Sequence, residues 1–473
     1  MKRLTAVTTR LMAGVLPALA LGACSLAPKY VAPAPPVPAS WPVGDAYLAQ
    51  SEASLPLVSY KEVFRDPRLQ ALVEQALTNN RDLRVAAANI AAARAQVRVT
   101  RANQFPAVTA TTSATDSETG GGFGQNGMNY TLRGGISSFE LDLFGKLANA
   151  TQSQRDTALA TEASARTVRL GLVADLALGW ATYAADRDLL NIAQATAANA
   201  AGSVRLSGAR LKGGVAARTE LRQAEQVLET ANGDVASQKA QLAQDINAIR
   251  LLIGADFDQT LLPAGIDEVN AGLSELPAGT STQVLLRRPD VVQAEYQLRA
   301  ANADIGVARA QLFPSISLSA LIGFASTSLS SLFDGASRTT TLGGDGSWSI
   351  FNAGGLSANV AVSKAQRDAA LATYEKAIQT AFSETADALA DQGTLAERLR
   401  AASAFTAATQ DAARLTEATY RRGIASSLDN LDAQRTLYSA RRTEIAVRLQ
   451  QATNRVTLYR VLGGDQSTAP AQP

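Results

Sequence analysis

The chain carries nearly the same octapeptide twice: QRDTALAT begins at Gln154 and QRDAALAT at Gln366, seven letters of eight agreeing across 212 positions. An alanine-rich chain can match itself by chance, so agreement in order decides the matter. In RANQFPAV, Arg101, Ala102, Phe105 and Pro106 are answered by Arg309, Ala310, Phe313 and Pro314 of ARAQLFPSI, at an offset of 208. ARLKGGVAARTELRQAEQ from Ala209 answers ATYRRGIASSLDNLDAQR from Ala418, aligning Gly214 with Gly423 and Ala224 with Ala433 at an offset of 209. Three collinear matches at nearly constant offset describe two tandem copies of about 200 residues, not a solenoid of short repeats. Such copies build one pseudo-symmetric body, where length alone would suggest about three domains.

The N-terminal stretch MKRLTAVTTRLMAGVLPALALGAC has a basic start (Lys2, Arg3, Arg10), an apolar run and small residues before a cysteine. That is the plan of a cleaved signal peptide, assigned here to residues 1–23, with an apolar run too short to span a bilayer. Leu21, Gly22, Ala23 and Cys24 resemble the bacterial lipobox, which makes Cys24 the expected site of lipidation. Cys24 is the only cysteine in the chain, so no disulfide forms within it. Several acyl chains together give firm anchorage in lipid. Ser25 follows it, and in bacterial lipoproteins a residue other than Asp there usually directs the protein to the outer membrane. The proline-rich APKYVAPAPPVPASWP reads as an extended tether without a core of its own. The chain then divides into a tether and equatorial part over 24–60, a first repeat over 61–265, a second over 266–465 and a flexible tail over 466–473.

Beyond the signal no run of 18 uncharged apolar residues remains; VRLGLVADLALGWATYAA from Val168 carries Arg169 and Asp175 and reads as a packed helix. A chain of this kind crosses a membrane only as β-strands. Four stretches alternate with period two, near 107–141 and 315–352. Val108, Ala110, Thr112 and Ala114 oppose Thr109, Thr111 and Ser113; Tyr130, Leu132, Gly134 and Ile136 oppose Thr131, Arg133, Gly135 and Ser137. In the second copy Ile316, Leu318, Ala320, Ile322 and Phe324 oppose Ser315, Ser317 and Ser319, and Leu342, Trp348 and Ile350 oppose Thr341, Asp345, Ser347 and Ser349. One apolar and one wet face suit the wall of a water-filled barrel, although a soluble sandwich alternates too. Known single-chain barrels start at about eight strands, so four per chain predict a barrel shared between subunits. The connecting TDSETGGGFGQNG and STSLSSLFDGASR read as polar surface loops.

The remainder is rich in Ala, Gln, Glu and Arg, good helix formers. No proline interrupts Leu147–Leu211 or Gly355–Arg422. About 65 residues of continuous helix would reach roughly 100 Å. In the second stretch Tyr374, Ala377, Ile378, Ala381, Phe382 and Leu389 share a face. Periodicity leaves two readings open, a coiled-coil stalk and the wall of a tunnel. Between the long helices and the next, LKGGVAART from Leu211 and YRRGIASSL from Tyr420 read as turns, with Gly214 and Gly423 in a left-handed conformation and Thr219, Ser426 or Ser427 as helix caps.

The lipobox, the tether, LLRRPDVVQAE from Leu285, FELDLFGKL from Phe139, SIFNAGGL from Ser349 and YRRGIASSLDNLDAQRTLY from Tyr420 together resemble the TolC-like outer membrane factor family of bacterial efflux systems, in its lipoprotein branch. The resemblance covers nearly all of the mature chain. It implies a mainly α, α+β fold: a homotrimer with four strands per chain in a twelve-stranded transmembrane β-barrel, joined to a long α-helical barrel. It also implies passive conduction of substrates from an inner-membrane efflux transporter and a periplasmic adaptor protein to the exterior, with a large periplasmic portion and no enzymatic activity. The turns around Gly213, Gly214, Arg422 and Gly423 match those that meet the adaptor. Leu428, Asp429 and Asp432 match the rings that close the periplasmic entrance, and Tyr420 matches a residue that holds the closed tip. Carboxylates crowded in such rings would attract cations, and some would titrate high. Ala425 stands where some relatives place a locking arginine. The first copy has Thr219, Glu220 and Gln223 at the equivalent places.

Independent of the resemblance, several chemistries lack their usual groups. There is no histidine, the commonest general base and metal ligand, and there are only three methionines. Gly120, Gly121 and Gly122 lack the lysine and helix of a phosphate loop. Neither a cofactor nor a metal is expected, and a net charge of +2 gives no argument for nucleic acid. Two alternatives stay open: a channel of a protein export system, and a lipid-anchored periplasmic coiled-coil scaffold.

Overall fold

A computed structural model describes residues 25–47, 59–117, 127–276 and 282–464. The signal segment, Cys24, Gly120 to Gly122 and the C-terminal tail lie outside them. In chain order the elements are α1 (Tyr60–Val63), α2 (Pro67–Asn79), α3 (Arg81–Ala102), β1 (Val108–Ser117), β2 (Gly127–Leu141), α4 (Lys146–Lys212), α5 (Arg218–Ile253), α6 (Ile266–Gly272), α7 (Pro289–Ala310), β3 (Ser315–Ser326), β4 (Arg338–Ser347), α8 (Gly355–Arg421) and α9 (Ser427–Val461).

The duplication is drawn in these lengths. Helices α3 and α7 both have 22 residues, α4 and α8 both have 67, and α5 and α9 have 36 and 35. Proline-free, alanine-rich sequence carries α4 and α8 unbroken, because Ala costs least in helix and permits close packing of neighbours. Among the described residues no helix is long and apolar enough to cross a membrane.

Contacts divide the chain into two compact units, each drawn from both copies. One comprises 1–34, 88–163 and 292–376, the other 35–87, 164–291 and 377–473. The first holds a four-stranded antiparallel sheet in the order β1-β2-β3-β4. Its register aligns the alternation predicted from sequence: Val108 pairs with Ile136, Ile136 with Ala320 and Ala320 with Leu342, so the apolar positions form rows across all four strands. The neighbouring polar positions align too, and Ser113 and Thr131 place their hydroxyls 2.7 Å apart. The register of β2 on β3 shifts between Ile136 and Phe139. Just before it sits Gly135, at φ 141°, where a Cβ would lie 2.1 Å from the Ala320 carbonyl oxygen; only glycine allows the strands that close. Strand β4 ends at Ser347, so Trp348 and Ile350 lie beyond it, contrary to the alternation read through Ile350; the Trp348 indole instead donates to the Leu312 carbonyl at 3.1 Å. The loop from Ser326 to Arg338 contains two short 3-10 turns, Leu329–Ser331 and Gly335–Ser337.

The proline-rich stretch is extended, but it is strapped down and so is not the coreless tether expected. In the first unit it lies along α7: Arg309 donates to the Leu26 carbonyl at 3.0 Å, Asn302 to that of Pro28 at 2.7 Å, and the Arg299 guanidinium sits 5.0 Å from the Tyr30 ring. In the second unit Trp41 is 2% exposed and stacks on Phe382, centroids 5.2 Å apart. Proline removes backbone donors, and the carbonyls that remain are taken by side chains of the body.

The second unit has its core around Phe64, Leu69, Leu72, Trp180, Ile249 and Tyr459. Phe64 meets Tyr459 edge-on at 5.1 Å, and Trp180 donates to the Leu261 carbonyl at 3.1 Å. The buried Arg288 of the LLRRPD stretch is held by Asp290 at 2.8 Å, Glu384 at 2.7 Å and the Val461 carbonyl at 3.2 Å. A guanidinium out of water requires such partners.

Candidate functional site

The candidate site is the pair of helix-to-helix turns, α4 to α5 and α8 to α9, all within the second unit. Both turns close the preceding helix in the same way. Gly214 has φ 73° and Gly423 φ 77°. Val215 N–H returns to the Arg210 carbonyl at 3.0 Å, and Ile424 N–H to that of Thr419 at 2.9 Å. These five-residue returns around a left-handed glycine satisfy helix carbonyls that water would otherwise have to reach. The side chains that follow, Val215 and Ile424, are exposed. Gly213, Gly214, Arg422 and Gly423 are all exposed as well.

The helices that follow start differently. Ser426 caps α9 in a reciprocal box: its Oγ accepts from Asp429 N–H at 3.1 Å, and its own N–H donates to Asp429 Oδ2 at 3.2 Å. The Ser426 hydroxyl also donates to that oxygen at 2.7 Å. Ser427, the other serine considered as a cap, is the first helical residue and is buried. In the first copy the cap position holds Ala217, with no side-chain hydrogen bond, and Thr219 lies inside the helix, so it does not cap. The repeat is thus symmetric at the glycines and asymmetric one residue group later.

Leu428, Asp429 and Asp432 are all exposed, on the face of α9 opposite the buried Asn430 and Leu431. Asp432 pairs with Arg435 at 2.6 Å. The Ser426 hydroxyl, and after it the Ser426 backbone N–H, hold the Asp429 carboxyl below its ordinary range. Within one chain the shift therefore runs opposite to the rise expected from crowded carboxylates, because the hydrogen-bond donors of Ser426 dominate it.

Tyr420 differs from these in being buried. Its hydroxyl and that of Ser207 stand 3.3 Å apart, and the Arg210 guanidinium lies 5.1 Å from its ring. The structure therefore brings Tyr420 of α8 together with Ser207 and Arg210 of α4. Farther from the turns, Tyr438 of α9 donates to Asp234 of α5 at 2.8 Å, and burial together with that carboxylate pushes its hydroxyl up to about 12. Sequence reading missed Ser207, Arg210, Asp234 and Tyr438, since cross-helix partners leave no periodic signal. Among the described residues no group of three or more His, Cys, Asp or Glu could hold a metal ion.

A family model described as outer membrane efflux protein matches residues 72–255 and again 280–464, one match to each copy. The antibiotic efflux pump outer membrane protein ArpC of Pseudomonas putida is 41% identical over 466 residues, covering 97% of this chain and 96% of that one. The cation efflux system protein CusC of Escherichia coli O157:H7 is 36% identical over 456 residues, 94% of this chain and 97% of that one. The open state of the Neisseria gonorrhoeae MtrE outer membrane channel matches with a TM-score of 0.82 at 30% identity, over 93% of this chain and 98% of that one.

Proposed function

This chain belongs to the outer membrane efflux protein family, and we propose that three copies form one passive conduit, handing substrates from an inner-membrane transporter and a periplasmic adaptor to the exterior. It is an outer membrane channel component of an efflux system. The observation that carries the assembly is the sheet: an apolar row with Val108 77% and Leu342 79% exposed, and two edges, β1 and β4, each with one side unpaired. In water such edges and such a face promote aggregation; in lipid an open edge is untenable. Four strands are too few to close, and twelve from three chains complete a barrel of known size.

Lipid anchoring at Cys24 is part of the same reading. The next residue, Ser25, donates to Asn149 Oδ1 at 2.8 Å, close to the start of α4 and to the end of β2. That contact of Ser25 supports an anchor near the strand end of the helices, where lipid would begin. The exposed turns at Gly213, Gly214, Arg422 and Gly423 are the adaptor-contact surface, and Leu428, Asp429 and Asp432, steadied by Tyr420, form the periplasmic gate. On this reading the channel conducts passively, without a catalytic centre or a cofactor.

The test is cross-linking of the sheet edges. Cysteine pairs with one member on β1 and one on β4, oxidised in intact outer membranes, should give covalent trimers. Only monomeric product from every pair, with the protein correctly in the membrane, would contradict the shared barrel.

A further inference from the structure

Asp186 lies on α4 and Asp245 on α5, about as far above the first turn as one another. Asp245 is 8% exposed, and its Oδ2 receives no hydrogen bond from any donor among the described residues. Its other oxygen accepts from Gln241 at 3.2 Å. The group within hydrogen-bond reach is the carboxyl of Asp186. Two ionised carboxylates in contact away from water repel strongly, and the contact is favourable only when one proton lies between them.

Among the described residues the neighbouring cations are engaged elsewhere. Arg187, next along α4, turns to the Pro263 carbonyl at 3.4 Å, and Arg250 of α5 is held by Asp256 and Asn247. The neighbouring acid Asp188 accepts from Ile266 N–H at 2.8 Å. On α2, Arg68 is engaged by Asp66 and Glu268, and Glu74 by Lys61. On α9, Arg448 is engaged by Asp267 and Glu444. The second copy has no such arrangement: 209 residues on stand Leu395 and Asn454, and the buried Asn454 gives its amide to the Ala388 carbonyl at 2.8 Å.

We propose that Asp186 and Asp245 are a proton-sharing clasp that holds α4 to α5, and that loss of the shared proton loosens this helix pair, making the first arm alone responsive to pH. Burial first, then the charge of Asp245 and the hydrogen bond with it, push the Asp186 carboxyl up to about 7, and burial raises Asp245 as well. A carboxyl that binds its proton more tightly folded than unfolded stabilises the fold fully at acid pH, below its unfolded value. That contribution is lost as pH rises through about 7. The clasp is independent of which substrate the channel conducts.

The experiment uses the full-length protein in detergent, as parent and as the isosteric double variant Asp186→Asn/Asp245→Asn. Infrared difference spectra should show a protonated carboxyl band at about pH 6 that disappears by about pH 8 and is missing from the variant. The thermal midpoint of the parent should fall by several degrees over the same interval, while that of the variant stays level. Absence of the band at the lower pH, or equal slopes in both proteins, would overturn the clasp. Full recovery of the parent's midpoint by calcium at the higher pH would overturn it too, since the pair would then be a cation site. Where the variant fails to fold, the infrared titration of the parent decides alone.

Discussion

The hydroxyls of Tyr420 and Ser207 stand 3.3 Å apart, both residues almost wholly buried, and join the ends of α8 and α4. A buried hydroxyl pair contributes about 1 kcal/mol, and removing one partner leaves the other unsatisfied. Tyr420→Phe and Ser207→Ala should each loosen the tip and raise resting single-channel conductance. The double variant should be no worse than either alone, because both remove the same interaction. Additive effects would mean that the two hydroxyls act separately.

Gly423 adopts φ 77°, yet a Cβ there would meet nothing within 4 Å. The obstacle to substitution is therefore the backbone conformation, costing about 1–2 kcal/mol for an L-residue and more for a β-branched one. Gly423→Val and Gly214→Val should lower efflux while trimer yield and barrel heat-resistance stay unchanged. Normal efflux in both would argue against adaptor docking at the turns.

Ser426 both caps α9 and lowers the Asp429 carboxyl. A depressed folded value means that the contribution is present above the unfolded value and is lost as pH falls through the lowered one. Cation preference of the parent channel should accordingly persist to lower pH than that of Ser426→Ala. Identical acid limbs in the two titrations would show that Asp429 does not face the conducted ions.

The turns were legible in the sequence because left-handed glycines and a serine before the next helix leave local marks, although Thr219 proved not to be a cap. So were the four strands, through their alternation, and the long helices, through the lack of proline. The strap was not legible. A proline-rich run reads as solvated chain, and only Trp41 within it hinted that part would be buried. Asp186 and Asp245 are 59 residues apart and each looks like a surface acid on its own helix; their contact depends on how α4 and α5 pack. The end of β4 at Ser347 was missed because the alternation continues past the last paired residue.

Trp41 fastens the strap against Phe382. Trp41→Ala removes a buried aromatic, a loss of about 3–5 kcal/mol where the site does not collapse. Released strap should become sensitive to protease between residues 30 and 47 in the otherwise folded protein. Unchanged protection would mean that the contacts along α7 suffice.

Planar-bilayer recording of the purified protein decides whether the proposed conduit prefers cations and closes near α9. The parent should give small, cation-preferring current steps, Leu428→Ala larger steps, and Asp429→Ala/Asp432→Ala weakened cation preference. Trimeric, folded protein that conducts nothing in any of the three forms, or conducts identically in all of them, would contradict that conduit.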